Sequence, residues 1–252
     1  MLLHPTLEKL HALRLSGFAR GLQEQMETTD IDSLGFEQRL GLLVDREMAE
    51  RENKRLAVRL RSAKLRHSAC LEDVDFRHPR GLDRSLVMAL AGCQWIREHL
   101  NVLIVGATGT GKSYLASALA RRACLQGYSA LYLRVPRLFG ELALARGDGR
   151  YGRLLRSLAK VDLLVLDDWG LSRLDELERQ DLLEIMEDRY QLRSTIVASQ
   201  LPVEAWHEVI ANPTLADAVL DRLVNNAYRI SLTGGSMRRK LSGLTQSNDL
   251  EA

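Results

Sequence analysis

A chain of 252 residues, 46% hydrophobic and 27% charged, is long enough to bury a full core, with one large domain and a smaller one. Its formal net charge of +2 points to no particular partner, and three widely spaced cysteines suit buried thiols of a cytoplasmic protein better than a metal site. No apolar run approaches the ~18 residues of a membrane span, and charged residues interrupt the N-terminal stretch, so we expect no signal peptide and no membrane contact.

The N-terminal region carries helical patterns throughout. Pro5 stands near the start of a short first helix, and Ser16 is a candidate N-cap of a second. After a break at 28–33, apolar residues from Phe36 to Met48 recur at helical spacing. We therefore expect an all-helical N-terminal domain over residues 1–66, a linker over 67–82 and a larger domain over 83–252.

The end of this helical region is strongly basic. A narrow apolar stripe of Leu56, Leu60 and Ala63 leaves most of the helix surface to cations, with Glu52 as the one acid between residues 51 and 66. Such a helix can pack by one edge and present its charge to DNA phosphates, although a solvated helix face has the same pattern. The candidate DNA-binding residues are Arg51, Lys54, Arg55, Arg59, Arg61, Lys64 and Arg66.

Beyond this region the patterns of helix and strand alternate. Asp83 is a candidate cap for a helix that reaches Ile96. The expected strands span 102–105, 129–134, 161–167, 195–199 and 228–232, and the expected helices 112–126, 136–146, 175–192, 204–211 and 215–226. Alternation of this kind predicts an α/β fold, a parallel sheet with helices on both faces.

A complete phosphate-binding loop follows the first expected strand. Residues 106–113 read Gly-Ala-Thr-Gly-Thr-Gly-Lys-Ser, with an apolar strand before them and an uninterrupted helical pattern after them. The glycines let backbone N–H groups and the helix N-terminus face an anion, while Lys112 reaches the β and γ phosphates and Ser113 ligates Mg²⁺. We expect ATP and Mg²⁺ to be bound, with nucleotide contacts from Gly106, Ala107, Thr108, Gly109, Thr110, Gly111, Lys112, Ser113 and Tyr114.

The second half of a nucleotide site lies further along the chain. Four apolar residues at 163–166 suit a buried parallel strand, and Asp167 and Asp168 follow them directly. Because ligands bind at the carboxyl ends of such strands, Asp167 is the candidate metal ligand beside Ser113. Asp168 is the candidate base that orients or deprotonates the attacking water.

Three more residues are candidates for the same chemistry. Gln200, with Ser199 as second choice, ends the 195–199 strand and could hold the attacking water or sense the γ-phosphate. Arg222 could complete a neighbouring subunit's site as an arginine finger, or pair within its own chain with Asp217, Asp221 or the helix C-terminus. Arg238 could touch a phosphate of nucleotide or DNA, or belong to a solvated tail.

Several segments taken together resemble the IstB family, the ATP-binding helper proteins of a class of bacterial insertion sequences. Beyond the generic phosphate loop, the resemblance rests on Leu-Val-Leu-Asp-Asp-Trp-Gly at 164–170, Ser-Gln-Leu-Pro-Val at 199–203 and Ala-Asp-Ala-Val-Leu-Asp-Arg-Leu at 216–223. The stretch 45–53 and the Gly-x-Ser-Met-Arg ending at 234–238 also fit. The resemblance covers nearly the whole chain, and these segments in this order are specific.

The resemblance implies an AAA+ ATPase of the initiator/loader clade, related to the DnaC helicase loader. It implies a homo-oligomer that assembles on duplex DNA with ATP, remodels the DNA, and recruits or stimulates a partner transposase of the IstA type. It maps phosphate and metal binding onto Lys112, Ser113 and Asp167, the base onto Asp168 and the finger onto Arg222. Two positions depart from the common pattern: many AAA+ proteins have Glu at Asp168, which suggests slow hydrolysis here, and many relatives have Asn at Gln200.

Two other functions use the same loop. A replicative helicase loader would differ in the partner of its N-terminal helices. A small-molecule kinase would need a lid and an acceptor pocket, which no residue pattern here indicates, and the basic stretch 51–66 would have no purpose.

Overall fold

The computed structural model describes residues 3–237. Its contacts divide the chain into two compact units, Met1–Val58 and Arg59–Ala252. The domain boundaries expected at residues 66 and 82 stay a prediction. What the structure adds is that the expected linker lies in the second unit and contributes buried residues, among them Leu71, Val74 and Arg80.

The first unit is helical. Helices α1 (Leu3–Ala12) and α2 (Ser16–Glu27) are followed by a 3₁₀ turn (Ile31–Ser33) and by the long helix α3 (Phe36–Ala63), whose last residues belong to the second unit. The expected break between residues 28 and 33 therefore holds a single short turn.

The expected cap of α2 by Ser16 is wrong. Leu15 is the N-cap, and its side chain makes no capping bond. The first free N–H groups of α2 are instead satisfied by Glu47, whose buried carboxylate accepts hydrogen bonds from the Gly17 and Phe18 amides at 2.8 and 3.0 Å. A carboxylate also suits the positive end of the helix dipole, so a distant acid replaces the local hydroxyl.

The second unit contains a five-stranded parallel sheet, which confirms the α/β fold. Its spatial order is β2-β3-β4-β1-β5, so the strand of the phosphate loop lies between β4 and β5. The strands are β1 (Asn101–Gly106), β2 (Ala130–Arg134), β3 (Leu163–Trp169), β4 (Ser194–Ser199) and β5 (Ala227–Leu232). Each matches an expected strand, although β3 begins and ends two residues later than expected.

Within residues 84–237, the described part of the second unit that follows the linker segment, there are eight helices. They are α4 (Arg84–Ala91), α5 (Gln94–Arg97), α6 (Lys112–Leu125), α7 (Val135–Gly147), α8 (Tyr151–Lys160), α9 (Glu176–Arg189), α10 (Trp206–Ile210) and α11 (Pro213–Val224). Asp83 caps α4 as expected, but the single helix to Ile96 is divided because Cys93 adopts a left-handed φ of 58°. Helix α8 was not predicted; it begins two residues after Gly149 and has Gly152 in its first turn.

The alternation of side chains along the strands gives the sheet two covered faces. Leu103, Leu164 and Val197 pack into a core with α7 to α11, and the intervening buried residues lie outside that core. Helix α6 packs across β1 to β4. Within the described residues no helix is both long and apolar enough to cross a membrane.

Candidate nucleotide site

The phosphate loop connects β1 to α6 and needs its glycines. Gly106, Gly109 and Gly111 have φ values of 151°, 87° and 100°, a region that disfavours residues with a Cβ. Space is limiting as well, because a Cβ on Gly106 would lie 2.2 Å from the Leu232 carbonyl oxygen. The same glycines leave the N-terminus of α6 open for an anion.

The lysine of the loop is folded onto the loop itself. Lys112 is only 8% exposed, and its Nζ donates to the carbonyl oxygens of Gly106 at 2.7 Å and Ala107 at 2.8 Å. The Thr110 hydroxyl also donates to the Ala107 carbonyl. The ammonium group is thus held where a phosphate on the loop would meet it.

The side chains of Ser113 and Asp167 both contact the hydroxyl of Tyr132. Asp167, in β3, is 1% exposed and accepts a hydrogen bond from the Tyr132 hydroxyl. Burial raises the pKa of Tyr132, Asp167 raises it further, and contacts with Arg66 and Ser113 oppose the rise. The structure therefore brings together the two side chains that the sequence analysis assigned to Mg²⁺. Tyr132, which connects them, was not predicted.

Asp168 occupies an irregular point of β3. The pairing of β3 with β4 shifts between Leu166 and Trp169, and Asp168 adopts a left-handed φ of 59°. Such a conformation is costly for a residue with a side chain, and it is commonest at functional sites. The Asp168 carboxylate accepts a hydrogen bond from Arg134 Nε at 2.5 Å.

The two candidates at the end of β4 have different environments. The Gln200 side chain lies at the loop, where its Oε1 accepts a hydrogen bond from the Thr108 hydroxyl at 2.6 Å. Ser199 is fully buried and donates to the Trp169 carbonyl oxygen at 2.9 Å. Only Gln200 therefore faces the place where a phosphate would lie.

A cavity of about 750 Å³ lies in front of the loop. Its wall includes the acids Asp167 and Asp168, Gln200, and most of the predicted nucleotide contacts: Thr108, Gly109, Gly111, Lys112, Ser113 and Tyr114. The rest of the wall comes from residues that the sequence analysis did not assign to nucleotide: Arg66, His67, Asp73, Val74, Asp75, Arg80, Arg134, Ala198 and Met237.

Arg80 braces the loop from the expected linker. It is 5% exposed, and it donates from Nη1 to the Thr110 carbonyl oxygen at 2.9 Å and from Nη2 to that of Asp75 at 3.2 Å. Burial lowers its pKa. Its carbonyl accepts from the Thr233 amide, which ties the end of β5 to the same segment. Arg80 lies in the segment expected to be a linker, so its contact with the loop was not predicted.

The structure also corrects the prediction that the basic stretch 51–66 is one helix. Helix α3 ends at Ala63, Lys64 has a left-handed φ of 50°, and Arg66 lies in the cavity wall rather than on a helix face. Arg59 Nη1 donates to the Cys124 carbonyl oxygen at 3.4 Å. Ion pairs also neutralise part of the remaining charge: Arg51 with Glu47, Lys54 with Glu50, and Arg55 with Glu52.

Arg222 lies far from the phosphate loop of its own chain. The side chain of Asn101, at the amino end of β1, donates to the Arg222 carbonyl oxygen at 3.1 Å, whereas the loop leaves the carboxyl end of that strand. The six residues of β1 separate the two ends by about 16 Å. Arg222 Nη2 pairs with Glu187 at 3.0 Å, which is neither of the two acids expected as intramolecular partners. Arg238 lies outside the described residues.

Solved structures share this fold. The chain resembles a crystal structure of DnaI with a TM-score of 0.57 and 24% identity, over 66% of this chain and 92% of that one. It resembles a crystal structure of the DnaC helicase loader with a TM-score of 0.50 and 20% identity, over 58% and 87% of the two chains. Together with the glycine loop after β1, these likenesses define a P-loop protein with the AAA+ fold.

The family is defined by sequence. The model of the IstB-like ATP binding proteins matches residues 8–245, and the chain belongs to that family. A putative insertion sequence ATP-binding protein of Sinorhizobium fredii, y4pL, is 58% identical over 239 residues, which is 95% of this chain and 98% of that protein. The resemblance seen in the sequence is thereby confirmed.

Proposed function

We propose that this protein is an ATPase that assembles on duplex DNA in its ATP-bound form and recruits or stimulates a partner transposase. The proposal rests on the distance, within one chain, between Arg222 and the phosphate loop with its acids. The loop and acids lie at the carboxyl end of the sheet, and Arg222 lies near the amino end of β1. An arginine so placed could act only in a second subunit's site, so ATP chemistry would require assembly.

The residues of the cavity fit an ATP–Mg²⁺ complex. Loop N–H groups and Lys112 would hold the phosphates, with Lys112 exchanging the carbonyls of Gly106 and Ala107 for phosphate oxygens. The hard oxygen ligands that Mg²⁺ prefers are supplied by Ser113 and Asp167, which meet at Tyr132. A bound Mg²⁺ would neutralise charge on the phosphates and orient them for attack.

Hydrolysis would fall to Asp168 and Gln200. Asp168 would accept the proton of the attacking water, and Gln200, already bonded to Thr108 of the loop, would hold that water near the γ-phosphate. To act as the base, Asp168 would first have to break its hydrogen bond with Arg134. Its side chain is also shorter than that of glutamate, so we expect slow turnover. A slow ATPase suits a clamp or timer better than a motor.

Contact with DNA would come from exposed cations such as Arg55 and Arg61 near the end of α3. Each subunit would contribute a few phosphate contacts of little sequence preference, and assembly would add them through multivalency. The names of the relatives support a role in an insertion sequence. The helicase-loader alternative is supported only by likenesses of 24% identity or less, which concern the fold alone.

The central test is the dependence of DNA affinity on the nucleotide. Binding of a fluorescent duplex should be at least about tenfold tighter with Mg²⁺ and a non-hydrolysable ATP analogue than with ADP or no nucleotide, because the γ-phosphate stabilises the assembly. Lys112→Ala serves as the control and should remove the difference. Equal affinity in all three states contradicts the proposal, and phosphate transfer to a nucleoside or sugar would favour the kinase alternative.

A further inference from the structure

Arg66 lies directly against both acids of the candidate nucleotide site. Its Nη1 is 3.4 Å from Asp167 Oδ2 and 3.7 Å from Asp168 Oδ2. It also contacts the hydroxyl of Tyr132, the group that touches Ser113 and Asp167. Arg66 is thus surrounded by the side chains proposed to hold Mg²⁺ and to activate water.

Arg66 belongs to a cluster in which two arginines face two carboxylates. Asp167 is almost fully buried, and a buried carboxylate requires a cation. Arg66 and Arg134 supply positive charge to Asp167 and Asp168 in the structure. Mg²⁺ on Asp167 and Ser113 would repel a guanidinium at that position, since two cations would then compete for one carboxylate.

We infer that Arg66 is a nucleotide-sensing residue that acts within its own chain: it exchanges its pairing with Asp167 and Asp168 for the γ-phosphate when ATP–Mg²⁺ binds. This inference rests on the proposed function. The incoming complex carries a net negative charge, and Arg66 already lies in the cavity wall with its side chain 36% exposed. A planar guanidinium binds phosphate oxygens as readily as carboxylate oxygens, so the exchange needs no other partner.

The position of Arg66 in the chain would link its change of partner to helix α3. Arg66 comes three residues after α3 ends at Ala63, and Arg80, at the other end of the same segment, is fixed to the loop carbonyl of Thr110. A move of Arg66 from carboxylate to phosphate would therefore shift the chain that leaves α3 while its far end stays in place. The state of the nucleotide would reach α3 through this segment.

The test compares affinities for two nucleotides in Arg66→Ala. Calorimetric titration with Mg²⁺ present should show about tenfold weaker binding of a non-hydrolysable ATP analogue and less than about twofold change for ADP, because only the analogue has the γ-phosphate. Arg77→Ala, which removes an exposed arginine from the same segment, is the matched control and should leave both affinities unchanged. Arg66→Lys keeps the charge and should lose less affinity for the analogue.

The possible outcomes distinguish a failure of this inference from a failure of the proposed function. If the wild-type protein binds neither nucleotide, the proposed function fails. If it binds both and Arg66→Ala weakens both by the same factor, or neither, Arg66 is a structural partner of Asp167 and the inference is overturned. Should Arg66→Ala not fold, Arg66→Lys decides, since an unchanged ratio of the two affinities in that variant contradicts recognition by the guanidinium fork.

Discussion

At the scale of single residues, arginines decide how the candidate site works. Arg80 supports the loop, Arg134 pairs with Asp168, and Arg222 lies near the amino end of β1, from where the proposed function would use it in a neighbouring subunit's site. Arg222 is restrained within its own chain by Glu187 and lies 5.9 Å from the ring centre of Tyr190. These surface contacts are weak enough to exchange for a phosphate on a neighbouring subunit.

Arg222→Ala should therefore lower ATP turnover by at least about tenfold while nucleotide affinity of the dilute protein stays nearly unchanged. Steady-state hydrolysis and calorimetric titration measure the two quantities. Arg153→Ala, which removes an exposed arginine from α8, should leave turnover as it is. Full activity in Arg222→Ala would remove the finger assignment, and lost nucleotide binding would place Arg222 in the site of its own chain.

At the scale of elements, one buried arginine joins helices to the sheet. Arg189, at the end of α9, is 2% exposed and donates to the carbonyl oxygens of Leu158, Val161 and Ser194 and to the Thr195 hydroxyl. Burial lowers its pKa to about 9, so the guanidinium is still charged at neutral pH. It satisfies the carbonyls at the end of α8 and at the start of β4.

Arg189→Met should destabilise the protein by about 2–4 kcal/mol, because it leaves several buried acceptors without a donor. Urea unfolding followed by circular dichroism measures the change. Arg156→Met, made at an exposed position on α8, should cost less than about 0.5 kcal/mol. A similarly small loss for Arg189→Met would mean that water replaces the guanidinium and that the joint is not structural.

At the scale of the whole molecule, the proposed DNA contact depends on distributed charge rather than on one groove. The net charge is only +2, so any attraction to phosphates comes from local clusters. Within the described residues of 51–66, the exposed cations outside the nucleotide cavity are Arg51, Lys54, Arg55, Arg61 and Lys64, whereas Arg59 is partly buried and Arg66 lines the cavity. The expected DNA surface is thus smaller than the seven residues predicted from the sequence.

The double variant Arg55→Glu, Arg61→Glu should weaken DNA binding and reduce the slope of log affinity against log salt by about 2, one unit for each lost phosphate contact. Fluorescence anisotropy at several salt concentrations, with the ATP analogue present, gives the slope. The double variant Arg77→Glu, Arg97→Glu has the same net charge and should keep the slope of the wild type. An unchanged slope in the first variant would exclude this part of α3 from the DNA contact.

Local sequence patterns predicted the fold and part of the candidate site. Glycine spacing and apolar runs depend on neighbours along the chain, so β1, the loop, α6 and the two acids of β3 could be predicted directly. Local pattern failed where a distant group supplies the bond: Glu47 caps α2 instead of Ser16, and Cys93 divides a helix that its sequence continues.

The contacts between cations and acids join residues that are far apart in the chain. Arg66 ends the basic stretch that was assigned to DNA, Arg80 belongs to the expected linker, and Tyr132 and Arg134 belong to a strand without a motif. Parallel strands bring their carboxyl ends to one edge of the sheet whatever their separation in the chain. The expected linker, 67–82, contributes further buried residues. The pairing of charges inside the cavity therefore depends on distances in space, which the spacing of residues along the chain does not predict.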